Sequence, residues 1–329
     1  MNILLTGGAG YIGSHTAVVL IQAGHEVVLL DNFCNSVPSV LERPAKIVGK
    51  PVPCIKGDVR DTDIVEKVLR EYQIDAVVHF AGLKAVGESS ERPLEYYSNN
   101  VQGAISLLQA MTRCNIKKLI FSSSATVYGD PQYLPIDELH PTNPTNPYGR
   151  NKLQIEQLLR DVSNSDPEWG IRALRYFNPL GAYDSRLIGE DPKGIPNNLM
   201  PYIVQVASGK FPFLNIYGDD YDTVDGTGVR DYIHVADLSE GHLAALIFLS
   251  KYKGFEVLNL GTGNGVSVLE ILKAFENISG ENINVQISNR RVGDVAQCFA
   301  SAEKAHKELS WIACRDFMIC AKVYLDGRK

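Results

Sequence analysis

The first thirty-one residues, MNILLTGGAGYIGSHTAVVLIQAGHEVVLLD, restrict the fold more than any other stretch. An apolar run, Ile3 to Leu5, meets Gly7-Gly8-Ala9-Gly10-Tyr11-Ile12-Gly13. Apolar residues then recur at helical spacing until a second apolar run, Val27 to Leu30, ends in Asp31. This order reads as strand, glycine turn, helix and strand. Gly7, Gly10 and Gly13 have the spacing at which one glycine makes a tight turn, one lets backbone N–H groups approach a pyrophosphate, and one lets helix and strand pack closely. Glycines alone also mark ordinary turns; the flanking elements and the terminal acid make these a dinucleotide fingerprint. The helix N-terminus favours phosphate through its N–H groups and dipole. Asp31 stands near the ~20-residue interval at which a carboxylate binds a ribose 2′-hydroxyl and repels a 2′-phosphate, which predicts NAD over NADP.

A chain of 329 residues, 45% hydrophobic and 21% charged, can bury the core of one large domain or two moderate ones. Its net charge of −6 offers no general attraction to nucleic acid or anionic membranes, so ligand phosphates must be held by local arginines and helix ends. No apolar run approaches the ~18 residues that span a bilayer. Met1 leads straight into the first strand without a basic leader, which predicts a cytoplasmic protein with a small-molecule ligand. Cys34, Cys54, Cys114, Cys298, Cys314 and Cys320 form neither C-x-x-C pairs nor clusters with histidine, so no metal site and no disulfide framework is expected.

Short apolar runs continue to alternate with amphipathic stretches. Strands are expected at Val52–Lys56, Ala76–Phe80, Lys118–Ser122 and Ile171–Tyr176, and helices at Asp61–Tyr72, Pro93–Cys114 and Tyr148–Asp161. Such βαβ repetition implies an α/β fold, a Rossmann-type doubly wound parallel sheet with helices on both faces and ligands beyond the strand C-termini. After Tyr176 the loops become rich in proline, glycine and asparagine, with helices near Leu199–Ser208 and Ser267–Ser279. This reads as a smaller C-terminal α/β substrate-binding lobe: a first domain of residues 1–176 with roughly 231–250 returning to it, and a second of 177–230 and 251–329.

Tyr148 and Lys152 lie four apart at the start of an amphipathic stretch, hence on one helical face. A tyrosine near pKa ~10 is too weakly acidic to act as a base at neutral pH, and an ammonium one turn away favours its phenolate. Ser122-Ser123-Ser124 ends a predicted strand, where a hydroxyl can bond the same substrate oxygen. Alone, Tyr-x-x-x-Lys reads more readily as a solvated helix face; behind a dinucleotide turn and a serine-tipped strand it reads as a general base.

On these three motifs the chain resembles the extended short-chain dehydrogenase/reductases. Ser124 is followed by Ala125-Thr126, where the sugar-nucleotide dehydratases of that superfamily carry an Asp-Glu pair for eliminating water. From Asn2 to about Leu309 the remaining motifs resemble the UDP-glucose 4-epimerases: His79-Phe80-Ala81-Gly82-Leu83-Lys84, Tyr176-Phe177-Asn178-Pro179, Ile195-Pro196-Asn197-Asn198-Leu199-Met200-Pro201, Gly226-Thr227-Gly228-Val229-Arg230-Asp231-Tyr232 and Arg290-Arg291-Val292-Gly293-Asp294.

The resemblance implies NAD held by Gly7, Gly10, Tyr11, Ile12 and Gly13, by Asp31, Asn32 and Asn35, and by Asp58 and Val59 at the adenine. Nearer the phosphates and nicotinamide ribose it implies Phe80, Ala81, Gly82, Lys84 and Asn99, with Ser122, Tyr148, Lys152 and Tyr176. A UDP-sugar would meet Ser124, Tyr148, Phe177, Asn178, Asn198 and Leu199, then Tyr217, Arg230, Tyr232, Arg291, Asp294 and Cys298. Tyr148, Lys152 and Ser124 would be catalytic. The implied reaction interconverts UDP-galactose and UDP-glucose through a 4-ketose, with NAD retained and the sugar turned over between two transfers. Cys298 matches a position bordering the sugar's C2 group, where a small residue leaves room for an N-acetyl substituent. The stripes Val101, Ala104, Leu107, Leu108 and Met111, and Leu153, Ile155, Leu158 and Leu159, suit a homodimer through a four-helix bundle in this family. Another nucleotide-sugar epimerase or reductase, or an NAD sensor without catalysis, are the competing readings.

Four further expectations concern single sites. His234 and His79 read as packed structural histidines, Glu88-Ser89-Ser90-Glu91 as a helix cap with a solvated face, and Ser301 as a cap in place of the aspartate usual in the family. The tail from Ala321 to Lys329 departs from the family's Trp-rich ending.

Overall fold

The computed structural model describes residues 1–190, 196, 198–291 and 293–316. Expectations that fall on Ile195, Asn197, Val292, Cys320 and the tail from Ala321 lie outside the described residues. The chain runs through β1 (Asn2–Thr6), α1 (Tyr11–Gln22), β2 (Glu26–Asp31), α2 (Glu42–Val48), β3 (Cys54–Lys56), α3 (Thr62–Glu71), β4 (Ala76–His79), α4 (Val86–Glu91), α5 (Pro93–Tyr96), α6 (Gln102–Arg113), β5 (Lys118–Ser124), α7 (Pro147–Ser165) and β6 (Gly170–Tyr176). There follow β7 (Asn178–Leu180), α8 (Leu199–Ala207), β8 (Leu214–Tyr217), β9 (Val229–His234), α9 (Val235–Leu249), β10 (Gly254–Leu260), β11 (Gly265–Ser267), α10 (Val268–Ser279), β12 (Val285–Ser288), β13 (Gln297–Cys298) and α11 (Glu303–Leu309).

Seven parallel strands form the large sheet in the order β3-β2-β1-β4-β5-β6-β10. Both faces are covered, which is why β1, β4 and β6 are buried along nearly their whole length rather than at alternate residues. On one face Val65, Val68 and Leu69 of α3, Leu107 and Met111 of α6, and Ile155 and Leu159 of α7 close over Leu4, Val77 and Leu119. On the other, Ala17 and Leu20 of α1 and Leu238, Leu246 and Leu249 of α9 cover Ile3, Val78 and Leu258. Each such fully buried side chain contributes about 1.5–3 kcal/mol. Strand order reverses between β1 and β4, the crevice where an open α/β sheet takes its ligand.

The second lobe has its own core, in which Met200 and Ile203 of α8, Leu214 and Ile216 of β8, and Ile271 and Phe275 of α10 meet. Its boundaries depart from the sequence reading in three places. Asp231 to His234 belong to β9 in a small sheet with β11, β13 and β7, so the return to the first lobe starts at α9. The return also runs further, because β10 pairs with β6 along its length; Val257 to Leu260 are buried, as a strand with both faces covered must be. Third, Ala305 of α11 and Trp311 sit in the core under the large sheet, and the Trp311 indole N–H donates to the Asp237 carbonyl of α9 at 3.0 Å.

The helix expected over Pro93–Cys114 is interrupted. Between α5 and α6 the backbone makes a π-helical turn, Tyr97 to Val101, that swings Asn100 inward to accept from the Leu83 N–H at 2.8 Å. Such turns gather at functional sites because the extra residue re-aims side chains.

Candidate active site

The glycine turn and the loop after β4 meet in the crevice. Gly7 has φ +67°, and a Cβ there would stand 2.7 Å from the Ala81 nitrogen. One at Gly13 would stand 2.6 Å from the Gly7 carbonyl oxygen, so the turn tolerates no side chain at either point. The N-terminus of α1 has no side-chain cap and no acid in its first turn, which leaves the positive end of its dipole for an anion. Ile12 packs from α1 into the core below. Asp31 closes the floor: one oxygen accepts from the Ala9 N–H at 3.0 Å and the other from the Phe33 N–H at 2.8 Å. Asn32 donates to Asp58 at 3.0 Å, and Arg60 beside Asp58 holds its carboxyl well below the usual range. Val59 is buried against Gly103, and Asn35 is exposed in the loop after β2. Glycines packed too tightly for a Cβ, an uncapped helix end and an acid at the end of β2 fit a dinucleotide with a free 2′-hydroxyl.

At the ends of β5 and β6 the reactive groups come together. Asn146 caps α7, its side chain accepting from the Gly149 N–H at 2.9 Å, so Tyr148 stands in the first turn. Lys152, one turn on, is buried and donates to the Ser122 carbonyl at 2.6 Å; its ammonium lies 5.8 Å from the centre of the Tyr148 ring and 4.8 Å from that of Phe121. Burial pushes Tyr148 up to about 12, countered by the Ser124 hydroxyl, and pulls Lys152 down to about 8, countered by Glu156. Burial of the phenol thus opposes the effect expected of the Lys152 ammonium one turn away, which favours the phenolate. His79 is buried and neutral at about 3, bonded to Thr6 Oγ1 at 2.7 Å and stacked on Phe121, as expected of a structural histidine.

A model of the NAD dependent epimerase/dehydratase family matches residues 3–261. The chain belongs to that family. The UDP-glucose 4-epimerase of Yersinia enterocolitica is 55% identical to this epimerase/dehydratase over 316 residues, 96% of this chain and 94% of that protein. The crystal structure of UDP-glucose 4-epimerase from Bifidobacterium longum in complex with NAD+ and UDP is 53% identical with a TM-score of 0.97, covering 100% of this chain and 98% of that one. The enzyme from Stenotrophomonas maltophila with bound NAD and formylated UDP-arabinopyranose is 49% identical, also at 0.97, with the same coverage.

In this family member the remaining expected residues belong to the second lobe. Phe177 is buried under Ser124's loop, and Asn178 opens β7. Asn198 precedes α8, Leu199 begins it, and Tyr232 is buried in the lobe's core. Arg230 donates to the Val229 carbonyl at 2.9 Å. Arg291 pairs with Asp294 at 2.9 Å and lies over the Tyr217 ring at 4.6 Å, so three of the residues expected at a UDP-sugar contact one another. Cys298 is half-buried on β13, its thiol pushed up to about 11 by burial.

Several site residues carried no signal in the sequence. His242 of α9 bonds the Tyr176 hydroxyl and lies 4.9 Å from the Phe80 ring, joining two residues expected at the cofactor. Glu190 accepts from Lys84 at 3.2 Å and from Asn198 at 2.5 Å, bridging the lobes. Asn99 donates to Asn100, which lies against Gly82. Tyr11 donates to the Gly181 carbonyl at 2.6 Å. The acidic stretch at 88–91 is no cap: α4 starts after Ala85 without one, and Ser89 is buried, accepting from the Tyr148 N–H at 3.2 Å. Ser301 does not cap α11 either: the helix starts after Ala302 with no side-chain cap, and the Ser301 N–H donates to the Ile136 carbonyl. His234 caps α9 through Nδ1, a structural role.

Proposed function

We propose that this chain is a UDP-glucose 4-epimerase, interconverting UDP-galactose and UDP-glucose through a 4-ketose. The observation that carries the reading is the convergence of Tyr148, Ser124 and Lys152 at the sheet edge onto which the glycine turn opens, with Ala125-Thr126 in place of an eliminating acid pair. Bound NAD supplies a hydride acceptor and donor for the sugar carbon, and a positively charged ring. Gly7, Gly10, Gly13 and the end of α1 hold its phosphates, Asp31 and Asn32 the adenosine ribose, and Lys152 the nicotinamide ribose. Tyr148 takes the proton of the sugar 4-hydroxyl and later returns it. Ser124 bonds the same oxygen and keeps it aligned as charge develops. Arg230 and Arg291 clamp the diphosphate, which leaves the sugar free to present its other face.

The first lobe is read as the NAD-binding domain and the second as the UDP-sugar domain. Half-buried Cys298 supports acceptance of the N-acetylated pair of sugars as well. The stripes expected to pair two copies are instead largely taken up in the chain's own core, where Ala104, Leu107, Leu108, Met111, Ile155 and Leu159 are buried, so a cytoplasmic homodimer through a four-helix bundle rests on the family resemblance and on Leu94, 84% exposed on α5, and is to be read from the mass in solution by light scattering. Purified protein given UDP-galactose and no added NAD should form UDP-glucose, measured by chromatography. No product even after NAD is added, with NAD still released on denaturation, would move the activity to another nucleotide sugar.

A further inference from the structure

One turn beyond Lys152, α7 buries a third polar side chain on the same face: Tyr148, Lys152 and Glu156 succeed one another at intervals of four, all turned to the sheet. Glu156 is 3% exposed. Its Oε1 accepts from Ser123 Oγ at 2.5 Å and Arg175 Nε at 3.0 Å, and its Oε2 accepts from Arg175 Nη2 at 2.6 Å. Ser123 and Arg175 are cross-strand neighbours on β5 and β6. Arg175 is itself held from the other side by the Tyr128 ring, 4.6 Å away, and Tyr128 donates to Asn259 of β10. The helix is therefore bolted to three adjacent strands, with Lys152 on Ser122 and Glu156 on Ser123.

We infer that Glu156 is a positioning residue for the Tyr148 and Lys152 pair: it fixes α7 against β5 and β6 and supplies the buried negative charge that keeps Lys152 an ammonium. The inference rests on the epimerase reading for its kinetics. A carboxylate this deeply buried is costly unless paired and bonded, so its placement one turn from a buried lysine is a demanding one. Other groups around the lysine offer no substitute. His79 of β4 is neutral, and Tyr148 and Tyr176 of β6 are held protonated by burial. From α4 and α5, Glu88 is bonded to Tyr96, and from β10, Glu256 is bonded to Lys304. Arg175 adds a second cation behind Glu156. Without the carboxylate two buried cations would face each other, and Lys152 would lose its proton more readily.

The test uses the full chain carrying its NAD. Glu156→Gln should lower kcat on the order of 10²-fold with KM changed little, and should move the alkaline limb of the pH profile to lower pH. Ser123→Ala should give a smaller kcat loss in the same sense, which Ser123→Thr restores. In parallel, protein labelled with 13C at lysine Cε, with the resonance assigned through Lys152→Arg, should show Lys152 titrating at lower pH in Glu156→Gln. An unmoved Lys152 titration and pH limb would overturn the inference, even with kcat reduced. If Glu156→Gln does not fold, an unchanged kcat in Ser123→Ala overturns it. An inactive unmodified protein would overturn the epimerase reading instead, and the lysine titration would still judge Glu156.

Discussion

Burial pushes Tyr148 up to about 12 and pulls Lys152 down to about 8, so a neighbouring positive charge is what favours the phenolate over the phenol here. Tyr148→Phe should lower turnover on the order of 10²–10⁴-fold while NAD, released by heat and measured by chromatography, stays at the unmodified level; retained turnover would remove Tyr148 from the reaction. At this scale the sequence was most legible where chemistry is local. Tyr148 and Lys152 lie four apart, and Gly7, Gly10 and Gly13 sit in one turn, so spacing together with the flanking strand and helix patterns singled them out. His242 and Glu190 were illegible because their partners, Tyr176 and Lys84, stand 66 and 106 residues away, and no local pattern encodes such a meeting.

The elements that carry the site are set by their ends. Helix α7 starts with Asn146 as cap and Pro147 in its first turn, and Ser89 from α4 takes the Tyr148 N–H. Asn146→Ala should cost about 1 kcal/mol of stability, measured by urea denaturation, and should lower kcat more than it changes KM, because the first turn bearing Tyr148 frays. The strands through Tyr176 were legible as apolar runs, with ends shifted by a residue or two. Two elements were misread for opposite reasons. The Pro93–Cys114 stretch keeps helical periodicity straight through Asn99 and Asn100, so its π turn leaves no trace in the pattern. Strand β10 does carry a signal, the apolar run from Val257 to Leu260, but a run that short is shared by many buried segments, and only pairing with β6 decides where it belongs.

Among the described residues, four buried histidines tie stability to pH. Burial lowers His15 and His242 to about 4 and His79 to about 3, and lowers His234 in the same direction. Their folded values lie below the ~6.5 of an unfolded chain, so unfolding takes up protons between those limits. The contribution is complete above about pH 6.5 and fades as pH falls toward 4. The thermal midpoint should drop over that window, and His79→Gln should flatten the drop; a midpoint level from pH 7 to 4 would contradict the burial. The two-lobed plan was legible from the change of loop composition after Tyr176, while the repeated crossing of the chain between lobes, through α9, β10 and Trp311, was not.

That crossing has a consequence for synthesis. Strands β6 and β10 are neighbours, yet residues 177–253 intervene between them. A chain emerging from the ribosome completes six strands of the sheet and then presents the bare edge of β6 until Leu260 has followed. For that interval the unpaired backbone is a template for any other strand in reach. Quick assembly of the second lobe, or temporary shielding of that edge, shortens the interval in which it can pair wrongly.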